Sequence, residues 1–432
     1  MKVLVIGSGG REHALAWKLV QSAGVTEVLV APGNAGTGLE RGVRNVDIVA
    51  TDIESLLELA QSEHIDFTIV GPEAPLVMGA VDQFIAAGLP CFGPSQAAAQ
   101  LEGSKAFSKD FMRRHNIPTA AYASFTDVSE ATQYIRDNGA PIVVKADGLA
   151  AGKGVVVAQS EEEAIAAVED MLSGNGFGEA GHKVVIEEFL QGEEASFICL
   201  CDGKTAVPFA SSQDHKARDD GDRGPNTGGM GAYSPAPVVT SAVHKLAMEK
   251  VINPTLAGMA ADGIPYVGFL YAGLMIDHEG QIKVVEFNCR FGDPEAQPVM
   301  MRLRADLLQC LMSAVAGTLT DAPLDFDPRM ALGVVMAAGG YPGDYTGGDE
   351  ITGLDKDLLD TKVFHAGTRD ADGKVVTAGG RVLCVVGLGE SVEIAQALAY
   401  ERVDLIGWRN RYFRKDIGYR AIDRATNRAA GR

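Results

Sequence analysis

Short apolar runs alternate with amphipathic stretches over the first 95 or so residues. Lys2–Ile6, Glu27–Ala31, Asp66–Val70 and Leu89–Phe92 have strand length, and Glu12–Gln21, Ile53–Ser62 and Leu76–Ala87 carry apolar positions at helical spacing. Strand, helix, strand in this order predicts βαβ units on a parallel sheet. A second α/β unit follows, with strands at Tyr122–Phe125, Ile142–Lys145, Val155–Ala158 and Val184–Phe189 and helices at Val128–Asp137 and Glu161–Leu172. It is small enough to be a mobile lobe. Strands near Ala195–Cys201, Phe269–Ile276 and Ile282–Cys289 and helices near Ser241–Met259 and Ala305–Ala316 come next. From Ala331, strands at Leu332–Ala337 and Arg381–Val386 and a long helix after Glu390 read as a separate cap. The expected fold class is a multidomain α/β and α+β protein with a Rossmann-like first domain and a small α+β cap.

Composition narrows the function classes. The 432 residues suggest about three domains at roughly 150 residues each. With 57 acidic against 38 basic side chains the formal charge is −19, which disfavours nucleic acid and anionic membranes as partners. Small-molecule chemistry is the first expectation, and phosphorylated substrates would need local positive charge or a divalent metal. No apolar run approaches the ~18 residues that span a bilayer, and the opening run breaks into Gly7-Ser8-Gly9-Gly10 too soon for a signal peptide, so a cytoplasmic protein is expected. The cysteines at 91, 199, 201, 289, 310 and 384 lie in apolar contexts without a C-x-x-C pair and read as buried free thiols.

The turn Gly7-Ser8-Gly9-Gly10-Arg11-Glu12 feeds a helix and offers N–H groups to a phosphate, but Glu12 stands where a dinucleotide fingerprint needs glycine. A tight strand-to-helix turn would use the same glycines. The ends of the next strands, Ala31-Pro32-Gly33-Asn34 and Gly71-Pro72-Glu73, would face the same crevice of a parallel sheet. In Val143–Val155, Lys145 closes a buried strand and Gly152-Lys153-Gly154 follows, which resembles a triphosphate lid and differs from a P-loop because Gly154 replaces the Ser or Thr. Val184–Glu194 ends an apolar strand in carboxylates and an extended linker, a shape that can present a Glu oxygen and alternate backbone groups to a purine edge, with a later acid on ribose hydroxyls.

In Val284–Glu295, strand alternation points Glu286, Asn288 and Arg290 one way and Val285, Phe287 and Cys289 into a core. Two oxygen donors beside a guanidinium suit Mg²⁺ with nucleotide phosphates and a carboxylate or phosphoryl group. Ser211–Arg218 and the glycine-dense Asp219–Gly231 make Asp214, Lys216 and Asn226 candidates for holding an amine-bearing or hydroxylated substrate.

Taken in order, Gly7–Ala14, Lys145–Gly154, Ser212–Lys216, Asn226–Gly231 and above all Arg290-Phe291-Gly292-Asp293-Pro294-Glu295 with Gln297 resemble the phosphoribosylamine–glycine ligase family of the ATP-grasp superfamily, over essentially the whole chain. The resemblance implies an N-terminal domain at 1–103, an ATP-grasp core at 104–330 with 120–190 as its mobile lobe, and a C-terminal cap at 331–432. It implies ATP-dependent joining of glycine to 5-phosphoribosylamine through glycyl phosphate. Lys105, Lys145, Gly152, Lys153 and Gly154 would meet ATP phosphates, Glu187, Phe189 and Leu190 the adenine, and Glu194 the ribose. Glu286 and Asn288 would hold Mg²⁺ or Mn²⁺. Many relatives draw a further metal carboxylate from the preceding strand, and Tyr271–Ile276 contains no acid. Arg290 would stabilise the acyl phosphate, Asp214 and Lys216 orient glycine or the amine, and Gly9, Gly10, Asn34, Glu73, Asn226 and Asp293 contact substrate. The expected partners are these small molecules, with the protein a monomer or weak dimer. The rivals are another ATP-grasp carboxylate–amine ligase or a biotin carboxylase-type enzyme, a dinucleotide-binding oxidoreductase, and a non-catalytic nucleotide sensor.

Overall fold

A computed structural model describes residues 1–149, 154–173 and 182–429. The expected loop residues Gly152 and Lys153 lie outside them. The N-terminal sheet is parallel, in the spatial order Val43–Asn45, Glu27–Pro32, Lys2–Gly7, Phe67–Val70, Cys91–Phe92. Its strands are apolar on both faces because helices cover both. The short edge strand Val43–Asn45 carries no apolar pattern and was not legible. Where one helix is expected at Leu76–Ala87, two short ones form, Glu73–Val77 and Ala80–Ala86, because Gly79 between them takes a left-handed φ of +84°.

Helix Gly10–Leu19 starts on a local device. Gly9 donates its N–H to Glu12 Oε2 at 2.6 Å, and the Glu12 side chain fills the space that a Cβ on Gly7 or Gly71 would need. The carboxylate therefore occupies the crevice through which a dinucleotide pyrophosphate would approach.

The lobe is an antiparallel sheet ordered Tyr122–Phe125, Val184–Glu188, Ile142–Ala146, Val155–Ala158, backed by helices Val128–Asn138 and Glu161–Leu172. Ala131, Ile135, Val144, Val168 and Ile186 form its own core, separate from the three other clusters. A second antiparallel sheet runs Ala206–Pro208, Glu193–Asp202, Val267–Ile276, Ile282–Asn288. Between Gly273 and Leu274 the pairing to the last strand slips, Gly273 opposing Glu286 and Leu274 opposing Val284, so Val285 is an extra residue.

That bulge corrects the alternation expected from sequence. Ile282 and Val284 are buried in the core, then Phe287 and Cys289, while both Val285 and Glu286 face the cleft. Unbroken alternation from Val284 would have driven Glu286 into apolar packing. The long helix expected at Ser241–Met259 forms with one wide turn, Met248–Ile252 at π pitch, just before Pro254, which has no N–H to give.

The C-terminal part is less separate than its sequence suggests. Met330–Ala337, Arg381–Gly389 and Thr361–His365 share one antiparallel sheet with Gln213–Asp214 and Gly231–Ser234. The candidate substrate loop is thereby built into the C-terminal sheet. A core containing Leu15, Phe269, Phe291, Val299, Phe364 and Val386 joins the N-terminal, central and C-terminal parts. The six cysteines are unpaired, and five are buried. Among the described residues no helix is long and apolar enough to cross a membrane.

Candidate active site

The cleft lies between lobe, central sheet and N-terminal sheet, with a cavity of about 390 Å³. Its lobe wall is made by adjacent strands. Lys145 and Glu187 each lie one residue before the end of their strand, and their side chains pair at 2.9 Å. A third group closes the cluster: Lys109, from helix Lys105–Arg114, reaches Glu187 Oε2 at 2.9 Å and donates to Thr119 Oγ1 at 2.7 Å. Burial, with Lys145 nearby, pulls the Lys109 ammonium down to about 8 despite Glu187. Ser104 caps that helix by accepting from Phe107 N–H, which fixes Lys105 in the first turn, where it donates to the Gly148 carbonyl at 2.8 Å. Burial lowers the Lys105 ammonium also.

The floor carries Glu286, Asn288 and Arg290. Burial alone would raise Glu286, but Lys216, Lys145, Lys105 and Arg290 outweigh it and hold the carboxyl at about 2. Arg290 lies past the strand end and is held by two acids, Glu73 at 3.2 Å and Glu102 at 2.7 Å. The two acids titrate apart. Burial raises Glu102 to about 7, whereas at Glu73 the charges of Arg290 and Arg11 overcome burial and hold it at about 2.

Across the floor stand Asp214 and Lys216. Lys216 Nζ pairs with Glu194 and lies 3.9 Å from Glu286. Asp214 is 7 % exposed, and burial with Glu295 and Glu194 nearby lifts its carboxyl to about 8 against the pull of Lys216. Glu295 is buried behind it and accepts from Ser196 Oγ and Tyr271 OH, both at 2.9 Å. A second cavity of about 230 Å³ adjoins the first through Lys145, Glu187, Lys216 and Glu286. Val143, Val157, Met275, Phe189 and Leu190 give it apolar walls, with Glu194 and Asn226 also lining it.

Of the residues expected from sequence, Glu73, Lys105, Lys145, Gly154, Glu187, Asp214, Lys216, Glu286, Asn288, Arg290 and Asp293 line the larger cavity. Gly9, Gly10 and Asn34 line neither. The Gly9 N–H is taken by Glu12, and Asp293 Oδ2 accepts the Arg11 N–H at 3.3 Å. A Cβ at Gly10 would collide with Gln297, so close packing already requires glycine there. Asn34 caps a short helix through Thr37 N–H and donates to the carbonyls of Ser8 and His365. Sequence reading missed Lys109, Glu102, Tyr271, Arg381 and Tyr341, all on the cavity wall. Lys109 had a signal, four residues after Lys105 on one helical face; the others depend on tertiary placement.

The donor set fits a hard divalent cation. Glu286 and Asn288 are oxygen donors on one strand, and the Asn288 carboxamide makes no hydrogen bond among the described residues. Among the described residues no group of three or more His, Cys, Asp or Glu side chains is placed to hold a metal.

Family models of phosphoribosylglycinamide synthetase match in series: the N domain over residues 1–102, the ATP-grasp (A) domain over 103–296 and the C domain over 331–420. The chain belongs to the phosphoribosylglycinamide synthetase family. Within it, the phosphoribosylamine–glycine ligase of Escherichia coli O6:H1 is 63% identical, covering 99% of this chain and 100% of that protein, and the Yersinia pestis ligase is 62% identical over 98% and 100%. The crystal structure of the Thermotoga maritima phosphoribosylamine–glycine ligase superposes with a TM-score of 0.84 at 34% identity, covering 96% of this chain and all of that one. The biotin carboxylase domain of Hydrogenobacter thermophilus 2-oxoglutarate carboxylase, at 17% identity and a TM-score of 0.73 over 95% and 91% of the two chains, shares the fold. ATP-grasp architecture in this synthetase family thus carries the two-cavity cleft described above.

Proposed function

We propose that this protein is a phosphoribosylamine–glycine ligase, joining glycine to 5-phosphoribosylamine with ATP to give N1-(5-phosphoribosyl)glycinamide, ADP and phosphate in purine biosynthesis. The observation that carries it is the convergence, in a synthetase-family chain, of Lys105, Lys145, Glu286, Asn288 and Arg290 on one cavity opposite Asp214 and Lys216. We read the chain as units 1–103, 104–330 and 331–432, with the lobe at 120–190 closing over ATP.

The apolar smaller cavity suits adenine against Phe189 and Leu190, with Glu194 on the ribose. Lys105 and Lys145 face the phosphates, joined by the Gly152–Gly154 loop. Glu187 serves as the buried anchor of Lys145 and Lys109, since both its oxygens already meet ammonium groups. Glu286 and Asn288 would hold Mg²⁺ or Mn²⁺, which would supply positive charge against the nucleotide phosphates.

A glycine carboxylate oxygen attacks the γ-phosphorus and ADP leaves; the lysines and Arg290 face the charge that spreads over the transferring oxygens. The amine nitrogen of phosphoribosylamine then attacks the acyl carbon and phosphate departs with the oxygen that joined it to carbon. Asp214 and Lys216 orient the amine-bearing partner, and Glu73, Asn226 and Asp293 bound its site. Lobe closure excludes water from an acyl phosphate that would otherwise hydrolyse. ADP release measured with glycine or phosphoribosylamine omitted in turn tests the reading. Release should require both, and release supported instead by bicarbonate would reject it.

A further inference from the structure

Seven cationic side chains line the larger cavity: Arg11, Lys105, Lys109, Lys145, Lys216, Arg290 and Arg381. Five of them are already matched to a carboxylate close by: Arg11 by Glu12, Lys109 and Lys145 by Glu187, Lys216 by Glu194, and Arg290 by Glu73 and Glu102. Among the described residues Lys105 has no ion pair, and Arg381 has only a long one, to Asp293 at 3.8 Å. Lys105 lies among Glu286, Lys145 and Asp147 on the nucleotide side, and Arg381 among Asp293, Tyr341 and Glu295, so they mark different ends of the cleft.

Arg381 opens a strand of the C-terminal sheet and is held in place by backbone. Its Nη1 donates to the carbonyls of Gly228 and of Asp293, the latter at 2.6 Å, and the guanidinium lies flat on Gly228, where a Cβ would fall 2.9 Å from Cζ. Its Nε and Nη2 have no hydrogen-bond acceptor among the described residues, and Nη2 stands 3.8 Å from Asp293 Oδ2. The Tyr341 ring packs over Gly380, beside Arg381, and its hydroxyl accepts from Gly228 N–H at 3.1 Å, which leaves the O–H proton free to donate. The Asp293 carboxylate is compensated by Arg11 N–H and by Gln297 Nε2 at 2.9 Å.

We infer that Arg381 and Tyr341, both from the C-terminal part, form the subsite for the 5′-phosphate of the amine substrate, with Asp293 next to it for a sugar hydroxyl. The inference rests on the ligase reading above. Two adjacent guanidinium donors and a phenolic donor match a phosphate monoester. The glycine turn after the first strand is the competing location, and its Gly9 and Arg11 N–H groups are already taken.

The test uses the full-length protein and two stable probes, ribose 5-phosphate and ribose, as binding ligands by calorimetry and as inhibitors against phosphoribosylamine. Wild type should bind ribose 5-phosphate at least about 100-fold more tightly than ribose. Arg381→Gln should collapse that ratio about 30-fold or more, Arg381→Lys should restore part of it, and Tyr341→Phe should lower it about 3- to 10-fold, all with an unchanged KM for ATP. A general disturbance of the loop would weaken both probes equally and would overturn the assignment, as would a preserved ratio in Arg381→Gln. If wild type turns over glycine and phosphoribosylamine while the ratio survives Arg381→Gln, the subsite alone fails. If wild type binds ribose 5-phosphate as expected yet makes no ADP, the ligase reading fails and the phosphate site stands.

Discussion

Glu187 and Glu286 are carboxylates on the same cleft with opposite surroundings. Glu187 is buried between two ammonium groups, and removing it would leave Lys109 and Lys145 as like charges in a confined space. Glu286 faces the open cavity, with its nearest ammonium among the described residues, Lys216, at 3.9 Å, so its charge is available to a ligand. Glu286→Ala should therefore lower turnover at saturating ATP by a factor on the order of 10²–10³ and leave added Mn²⁺ free in solution, as read from the aqueous Mn²⁺ signal in electron paramagnetic resonance, with an unchanged circular dichroism spectrum. Near-normal turnover would remove Glu286 from the metal site. The Glu286-x-Asn288-x-Arg290 spacing was legible, since a strand ending in polar residues announces itself. The companions of Arg290 were not, because Glu73 and Glu102 come from turns and helices far away in sequence.

At the scale of elements, the parallel sheet and the lobe strands were legible because their apolar runs have the period of buried strands. The bulge at Val285 was not, since an inserted residue leaves no mark in a run of valines; it depends on the register against Gly273 and Leu274. Nor was the sharing of a sheet between Gln213–Asp214 and the C-terminal strands, which is made through Gly231–Ser234 pairing with Ala331–Val334, far away in sequence. The lobe's separate core gives a prediction of its own. Ile135 is fully buried there, and Ile135→Ala should cost about 2–5 kcal/mol. Hydrogen exchange should accelerate across residues 122–146, 155–172 and 184–188 and stay unchanged in the strands of residues 267–288, with a raised KM for ATP. Acceleration spread evenly over the chain would mean that the lobe does not open as a unit.

Across the whole molecule, the N-terminal and C-terminal parts meet at a buried polar junction. His365 N–H donates to His13 Nδ1 at 2.8 Å, His13 Nε2 faces Glu40 at 3.1 Å, and Glu40 also pairs with Lys362. Burial, with His13 and Lys362 nearby, holds His365 down to about 3 and burial lowers His13 too, so both imidazoles are neutral in the fold. A histidine depressed in the folded state contributes stability that is full above its unfolded value of ~6.5 and is lost as pH falls toward the folded value. From pH 6.5 to 5 this amounts to about 2 kcal/mol for His365. Thermal unfolding should show the loss, and His365→Gln should flatten it; an equally steep variant would place the acid sensitivity elsewhere. The central claim is chemical, that the glycine carboxylate becomes an acyl phosphate in this cleft before the amine attacks. Turnover with glycine labelled by ¹⁸O in both carboxylate oxygens tests it most directly. One labelled oxygen should appear in the released phosphate and the other in the amide of the product, whereas phosphate free of label would contradict the account.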